Sequence, residues 1–146
     1  MSRVLAVDYG EKRVGVALSD PTRTVARPLA TLTRRAGKRP PVQALLDLCA
    51  EHEVTQIVVG LPLTLAGDDS DWTREVRAFA ERLHVRSGIP VELVDERLSS
   101  VVAERAVRSS GLRKTQREQK QRIDAGAAAV ILQAFLDTRR AEPSDP

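Results

Sequence analysis

One stretch constrains the fold of this chain more than any other: Val4-Leu-Ala-Val-Asp8-Tyr-Gly-Glu-Lys-Arg13-Val-Gly-Val-Ala-Leu-Ser19. Val4 to Val7 and Val14 to Leu18 are apolar and β-favouring, and Gly10 marks a tight turn between them, so the segment reads as strand, turn, strand. Asp8 is the odd residue. A carboxylate that closes an apolar strand must be paired, hydrated or metal-bound, because burying it alone is very costly. It can also simply open a hairpin turn. The segment by itself leaves both roles open, and other carboxylates arriving at the same place decide between them.

The rest of the chain alternates strands and helices. Thr24 to Leu32 reads as a third strand, and Pro28 inside it removes a ladder donor and places it at a sheet edge. Gly37 to Pro41 is a loop. Val42, Leu45, Leu46 and Cys49 form the apolar stripe of a helix from about Pro41 to His52. Gln56 to Val59 is a continuous apolar run of the kind found in buried parallel strands, and the loop Gly60 to Gly67 follows it. Asp68, Asp69 and Ser70 offer capping side chains to a helix whose Trp72, Val76, Phe79 and Leu83 recur at spacings of 4, 3 and 4, which makes both aromatics core residues. Gly88 ends that helix and Pro90 blocks its restart. Val91 to Val94 is a further strand, closing in Asp95-Glu96-Arg97. Ser99 or Ser100 then caps a helix to about Ser109, stopped by Gly111.

The last helix carries the second unusual acid. Thr115-Gln-Arg-Glu118 matches a capping box, and a start near Arg122 is the alternative. Asp124, Ala128, Ile131 and Phe135 recur at spacings of 4, 3 and 4, so Asp124 heads a face that points inward. Ala125 and Ala127 to Ala129, with Gly126, allow close approach to a sheet. The competing explanation is an Asp near a helix start, stabilised by the macrodipole. The tail 141–146, with Pro143 and Pro146, is expected to be disordered.

Composition narrows the function classes. The 146 residues suit one domain, taken as 1–140. No apolar run approaches the ~20 residues of a membrane span, and no signal-peptide pattern is seen, so a cytoplasmic protein without membrane contact is expected. Cys49, the one cysteine, lies in an apolar stripe and reads as a buried structural thiol. With it, His52 and His84 make no plausible zinc set. Aromatic content of 3% argues against a base-stacking single-strand binder. The net charge of +3 is unevenly spread: Arg105 to Arg122 holds seven basic residues and one acidic, and Arg34, Arg35, Lys38 and Arg39 form a second cluster. Such concentrations are either solvated faces or contacts for a polyanion.

The element order β-β-β-α-β-α-β-α-α predicts an α/β fold. Its mixed five-stranded sheet has three antiparallel strands plus two parallel ones and is flanked by helices. The carboxyl ends of the parallel strands share one edge, where ligands bind in such sheets. Asp8 and Asp95-Glu96 lie there, and a helix packed back on the sheet can bring Asp124 to them. Clustered carboxylates repel unless divalent cations neutralise them, and all-oxygen ligation selects Mg²⁺ or Mn²⁺. Two such ions ~3.5–4 Å apart can activate water and stabilise the leaving oxygen of a phosphodiester.

Val7-Asp8-Tyr9-Gly10 with Arg13-Val14-Gly15-Val16-Ala17, Val59-Gly60-Leu61-Pro62-Leu63, Asp95-Glu96-Arg97-Leu98-Ser99 and the helix from Asp124 together resemble the YqgF/RuvX family over about Arg3 to Leu136. The resemblance implies a minimal RNase H-like nuclease domain that processes the 5′ end of precursor 16S ribosomal RNA in ribosome biogenesis. Such proteins have also been discussed as Holliday-junction resolvases. It implies Asp8, Glu96 and Asp124 as catalytic, metal-binding carboxylates, and Asp95, next to Glu96, is the other candidate metal ligand from the end of that strand. Because neighbouring strand residues face opposite ways, only one of Asp95 and Glu96 directly touches the ion, and the resemblance favours Glu96. The expected nucleic-acid contacts are Arg13, Arg97, Arg113, Lys114, Arg117, Lys120 and Arg122, with Arg97 alternatively pairing with Asp95.

The chain departs from the family pattern in two places. Thr64 and Ala66 stand where the family carries Asn and Asp. More distant junction resolvases carry an acid at the end of the strand that here ends in Gly60. Three functions follow: a Mg²⁺- or Mn²⁺-dependent nuclease acting on precursor rRNA, a branched-DNA resolvase, or a non-catalytic rRNA-binding module. The protein is expected as a monomer or weak homodimer. An actin-like ATPase, prompted by the Asp-Tyr-Gly turn, needs two domains, and this chain has room for one.

Overall fold

Strand β1 (Arg3–Tyr9) turns at Gly10 and pairs antiparallel with β2 (Arg13–Ser19), which sets Asp8 opposite Gly15. The Gly10 N–H donates to the Arg13 carbonyl at 3.0 Å. A Cβ on residue 10 would stand 2.5 Å from that oxygen, so the turn admits only glycine. These elements come from a computed structural model that describes residues 2–34, 40–63, 66–96 and 116–141, with the side chains of the last segment described from 125 to 139.

The sheet has the strand order β3-β2-β1-β4-β5. β3 (Ala26–Thr33) is an antiparallel edge strand, as Pro28 requires, and its register shifts opposite that proline, between Val16 and Ala17. It starts two residues later than the sequence pattern predicts. The Asp20 carboxylate accepts the N–H groups of Thr24 (2.8 Å) and Val25 (2.9 Å) and the Thr22 hydroxyl, which closes a turn before the ladder begins. Those hydrogen bonds, the one from Thr22 foremost, hold the Asp20 carboxyl well below the usual carboxylate range.

Helix α1 (Val42–Glu51) buries Val42, Leu45 and Cys49. Burial pushes the Cys49 thiol up to about 11, as expected of an inert core cysteine. β4 (Val54–Leu61) runs parallel to β1 and extends beyond the predicted Gln56–Val59 at both ends. α2 (Asp71–Ser87) starts at Ser70, whose hydroxyl accepts the Thr73 N–H at 3.1 Å. It ends at Gly88, left-handed at φ 71°, whose N–H donates to the His84 carbonyl at 2.9 Å. β5 (Val91–Asp95) is parallel to β4.

The final element is α3 (Gln116–Ala141), which begins where the capping box predicts rather than near Arg122. The helix anticipated between Ser99 or Ser100 and Ser109 lies outside the described residues, as do the cluster at 35–39 and the tail past Ala141.

Alternation along the strands sorts side chains to two faces. Leu5, Val7, Tyr9, Ile57, Val59 and Leu61 pack with α1 and α2 in one core. Val4, Ala6, Ala17 and Val58 pack beneath α3, against Ala128, Leu132, Phe135 and Leu136. The small residues on both sides of that second interface let the helix sit close to the sheet. Gln133 fixes the crossing: its amide accepts the Ala26 N–H at 2.9 Å and donates to the Thr24 carbonyl at 3.0 Å.

Candidate active site

Asp8 lies on β1 in the same alternation as Val4 and Ala6, so it stands on the α3 face, and it is 6% exposed. Its cross-strand partner on β2 is Gly15, which carries no side chain. On the other side, Val7 pairs with Val59 of β4, so the residue in line with Asp8 there is Gly60. The acid is therefore flanked by glycine on both neighbouring strands.

Glu96 occupies the space this leaves on β4. It follows the last residue of β5 and is 5% exposed. Its Oε1 is 2.9 Å, and its Cγ 3.2 Å, from the point a Cβ on Gly60 would occupy. Ile131 of α3 closes over the same point, with its Cδ1 2.7 Å from it. Two buried carboxylates distant in sequence thus converge at the carboxyl edge of the parallel strands, on one face, beneath one helix.

The other predicted residues are distributed as follows. Asp95 is the β5 partner of Leu61; by alternation it follows Leu93, on the face opposite Val94, and it is only half buried. α3 runs from the carboxyl edge, where Ile131 covers Gly60, to the amino edge, where Arg139 pairs with Glu92 at 2.7 Å. The backbone of Asp124 lies two helical turns before Ile131, roughly 10 Å along the axis, on the carboxyl side. Its side chain is not among those described, nor are those of Arg117, Lys120 and Arg122, whose backbone forms the first turns of α3. Arg97, Arg113 and Lys114 lie outside the described residues altogether. Arg13, half buried, opens β2 at the same edge as Asp8.

Several supports of this edge carry no local sequence signal. Tyr9, the residue after Asp8, turns to the other face and stacks on Phe79 (centroids 4.1 Å apart) and Trp72 (5.4 Å), nearly parallel to both. The Arg34 guanidinium sits 4.9 Å above the Tyr9 ring. Burial pushes the Tyr9 phenol up, against the opposing charge of Arg34. Beyond β4, the buried Thr73 hydroxyl donates to the Pro62 carbonyl, and Arg77 grips Asp69 with two hydrogen bonds of 2.9 and 3.1 Å. The loop leaving Gly60 is thereby tied to the start of α2. The sequence offers Asp68, Asp69 and Ser70 as caps, and the structure gives the capping to Ser70 and an ion pair to Asp69.

Among the described residues no three acids, histidines or cysteines gather as a ligand set; the described pair is Asp8 and Glu96. The donors are carboxylate oxygens alone, the chemistry that suits Mg²⁺ or Mn²⁺ and not zinc. A cavity of about 410 Å³, lined by Arg23, Gln56 and Arg139 among others, lies at the opposite edge of the sheet. Its polar groups are engaged, Arg23 with Gln56, Arg139 with Glu92 and Thr22 with Asp20.

The sequence profile of RuvX, described as Holliday junction resolvase, matches residues 2–138. The chain belongs to the RuvX family. A Roseiflexus protein named "Putative pre-16S rRNA nuclease" is 45% identical to this RuvX chain over 138 residues, covering 94% of it and 96% of the relative. A Clavibacter sepedonicus protein of the same name is 46% identical over 142 residues, covering 97% and 87%. Among solved structures, Thermus thermophilus RuvC in complex with a Holliday junction substrate superposes at TM-score 0.56, with 13% identity and 97% of each chain covered. That likeness establishes the fold, the RNase H-like architecture that the family resemblance implies. Among the described residues no helix is long and apolar enough to cross a membrane.

Proposed function

We propose that this RuvX chain is a divalent-metal-dependent nuclease that hydrolyses phosphodiester bonds in precursor 16S rRNA, near the 5′ end of the mature sequence. The nuclease class follows from the family. The rRNA substrate is that named for relatives about 45% identical along nearly the whole chain. The observation that carries the chemistry is the buried Glu96 carboxylate lodged against Gly60, the β4 residue in line with the buried Asp8.

Asp8 and Glu96 hold the metal, and Asp124 completes the set from α3. Bound Mg²⁺ or Mn²⁺ supplies an activated water and neutralises charge developing on the leaving oxygen. The residues themselves do the rest. Gly15 puts no side chain beside Asp8 on the β2 side, and Gly60 leaves room for Glu96 on the β4 side. Ile131 and the α3 alanines exclude bulk water from below the acids, which strengthens every charge interaction there. Arg13, Arg97 and the basic segment through Arg122 grip flanking phosphates. The protein acts in the cytoplasm, where precursor rRNA is found.

The test is cleavage of a precursor fragment spanning the 16S 5′ end, by the parent and by Asp8→Asn, with Mg²⁺ or Mn²⁺. The parent cuts and the variant does not; equal cutting by both defeats the proposal. A four-way DNA junction is the comparison substrate, since the matching family is described as a resolvase. Paired cuts by a dimer on that junction, with the rRNA fragment left intact, would move the assignment to branched DNA. Tight rRNA binding by a parent that cuts neither substrate with either metal would leave a binding module.

A further inference from the structure

Gly60 deserves a role of its own, on the strength of what its missing side chain makes room for. It stands on β4 between Asp8 of β1 and Val94 of β5, in the middle of the row that the acids occupy. A side chain there would project to the α3 face, where Glu96 Oε1 comes within 2.9 Å and Ile131 Cδ1 within 2.7 Å of its first carbon. Contacts this short between a Cβ and its neighbours are essentially forbidden, and because the atoms met are the ends of two flexible side chains, those ends and not the backbone must move. The rest of β4 is unlike this position: Val58, the preceding residue on the same face, is fully buried and packs under α3 as an ordinary core valine. The Gly60 backbone needs no left-handed conformation, since its φ is not positive. Space, and not backbone freedom, selects glycine.

We infer that Gly60 is a positioning residue: its bare backbone lets the carboxylate of Glu96 reach across from β5 into the row of Asp8, so that two acids two strands apart share one metal. The inference rests on the proposed function for its use of the metal, but not for the contact itself. Of the two groups a Cβ would displace, the Ile131 methyl can be removed by Ile131→Val. The Glu96 headgroup cannot stay where it is whichever residue stands at 131.

The experiment has two readings on the intact chain. The first is thermal unfolding without metal, in a cycle of Gly60→Ala and Glu96→Ala on an Ile131→Val background. Gly60→Ala lowers the midpoint by several degrees when Glu96 is present, and by distinctly less when Glu96 is alanine. An equal loss in both overturns the inference. The second is Mn²⁺ binding, followed by calorimetry. Gly60→Ala/Ile131→Val, although folded, binds at least about tenfold more weakly than Ile131→Val alone. Binding by that double variant as tight as that of Ile131→Val also overturns the inference. A parent that binds no Mn²⁺, with the unfolding cycle still coupled, contradicts the proposed function and upholds the contact.

Discussion

The two faces of the sheet are built from the same strands and do different work. Toward α1 and α2, the strands present Leu5, Val7, Tyr9, Ile57, Val59 and Leu61, which interlock with Leu45, Phe79 and Leu83. Toward α3, the same strands present Val4, Ala6, Ala17 and Val58, and then, at the carboxyl edge, Asp8 and Gly60. The first face is made of bulk and the second of small residues. Bulk supplies apolar burial, at about 1.5–3 kcal/mol for each large side chain withdrawn from water. Small residues supply proximity: a helix brought close over alanines can hold a dry roof above two carboxylates. One residue step along β1, from Asp8 to Tyr9, passes from one regime to the other.

If the faces divide labour in this way, mutations on each should move different observables. Asp8→Asn is expected to slow cleavage about a thousandfold or more, equivalent to ~4 kcal/mol of barrier, while leaving the unfolding midpoint unchanged or raised. A slow variant that is also unfolded would blur the division. On the bulky face, Phe79→Ala removes the ring stacked on Tyr9 and should lower unfolding free energy by about 3–5 kcal/mol in urea titration. Metal affinity should fall little at temperatures where that variant is folded. On the small-residue face, Ala128→Leu overpacks the α3 interface and should destabilise by about 1–3 kcal/mol. Unlike Phe79→Ala, it should weaken Mn²⁺ binding as well, because it lifts the helix that carries Ile131 and Asp124. Away from both faces, Ser70→Ala removes the α2 cap and should lower stability by about 1 kcal/mol, with cleavage unaffected.

Much of this division was legible in the chain. Apolar, β-favouring runs named the strands, Pro28 named the edge, and the spacing of Trp72, Val76, Phe79 and Leu83 named a core helix. The topology brought the Asp8 edge and the Glu96 edge together before any coordinates. Other features were closed to local pattern. Adjacent acids at 95 and 96 give no sign of which one turns inward; the strand's alternation and the space at Gly60 decide it, and both require the sheet. The spacing puts Trp72 and Phe79 on one helix face but does not say that Tyr9 of a distant strand stacks on both, and nothing local marks the bonds of Gln133 to Thr24 and Ala26. β3 begins late because the Asp20 side chain, and not the backbone, closes the preceding turn.

The central claim is that acids from β1, from the end of β5 and from α3 share one metal site. Crystals soaked in Mn²⁺ and measured for anomalous scattering address it directly. The account predicts density in contact with the carboxylates of Asp8, Glu96 and Asp124 together. Density held by other residues, or none between Asp8 and Glu96 at saturating Mn²⁺, would contradict it.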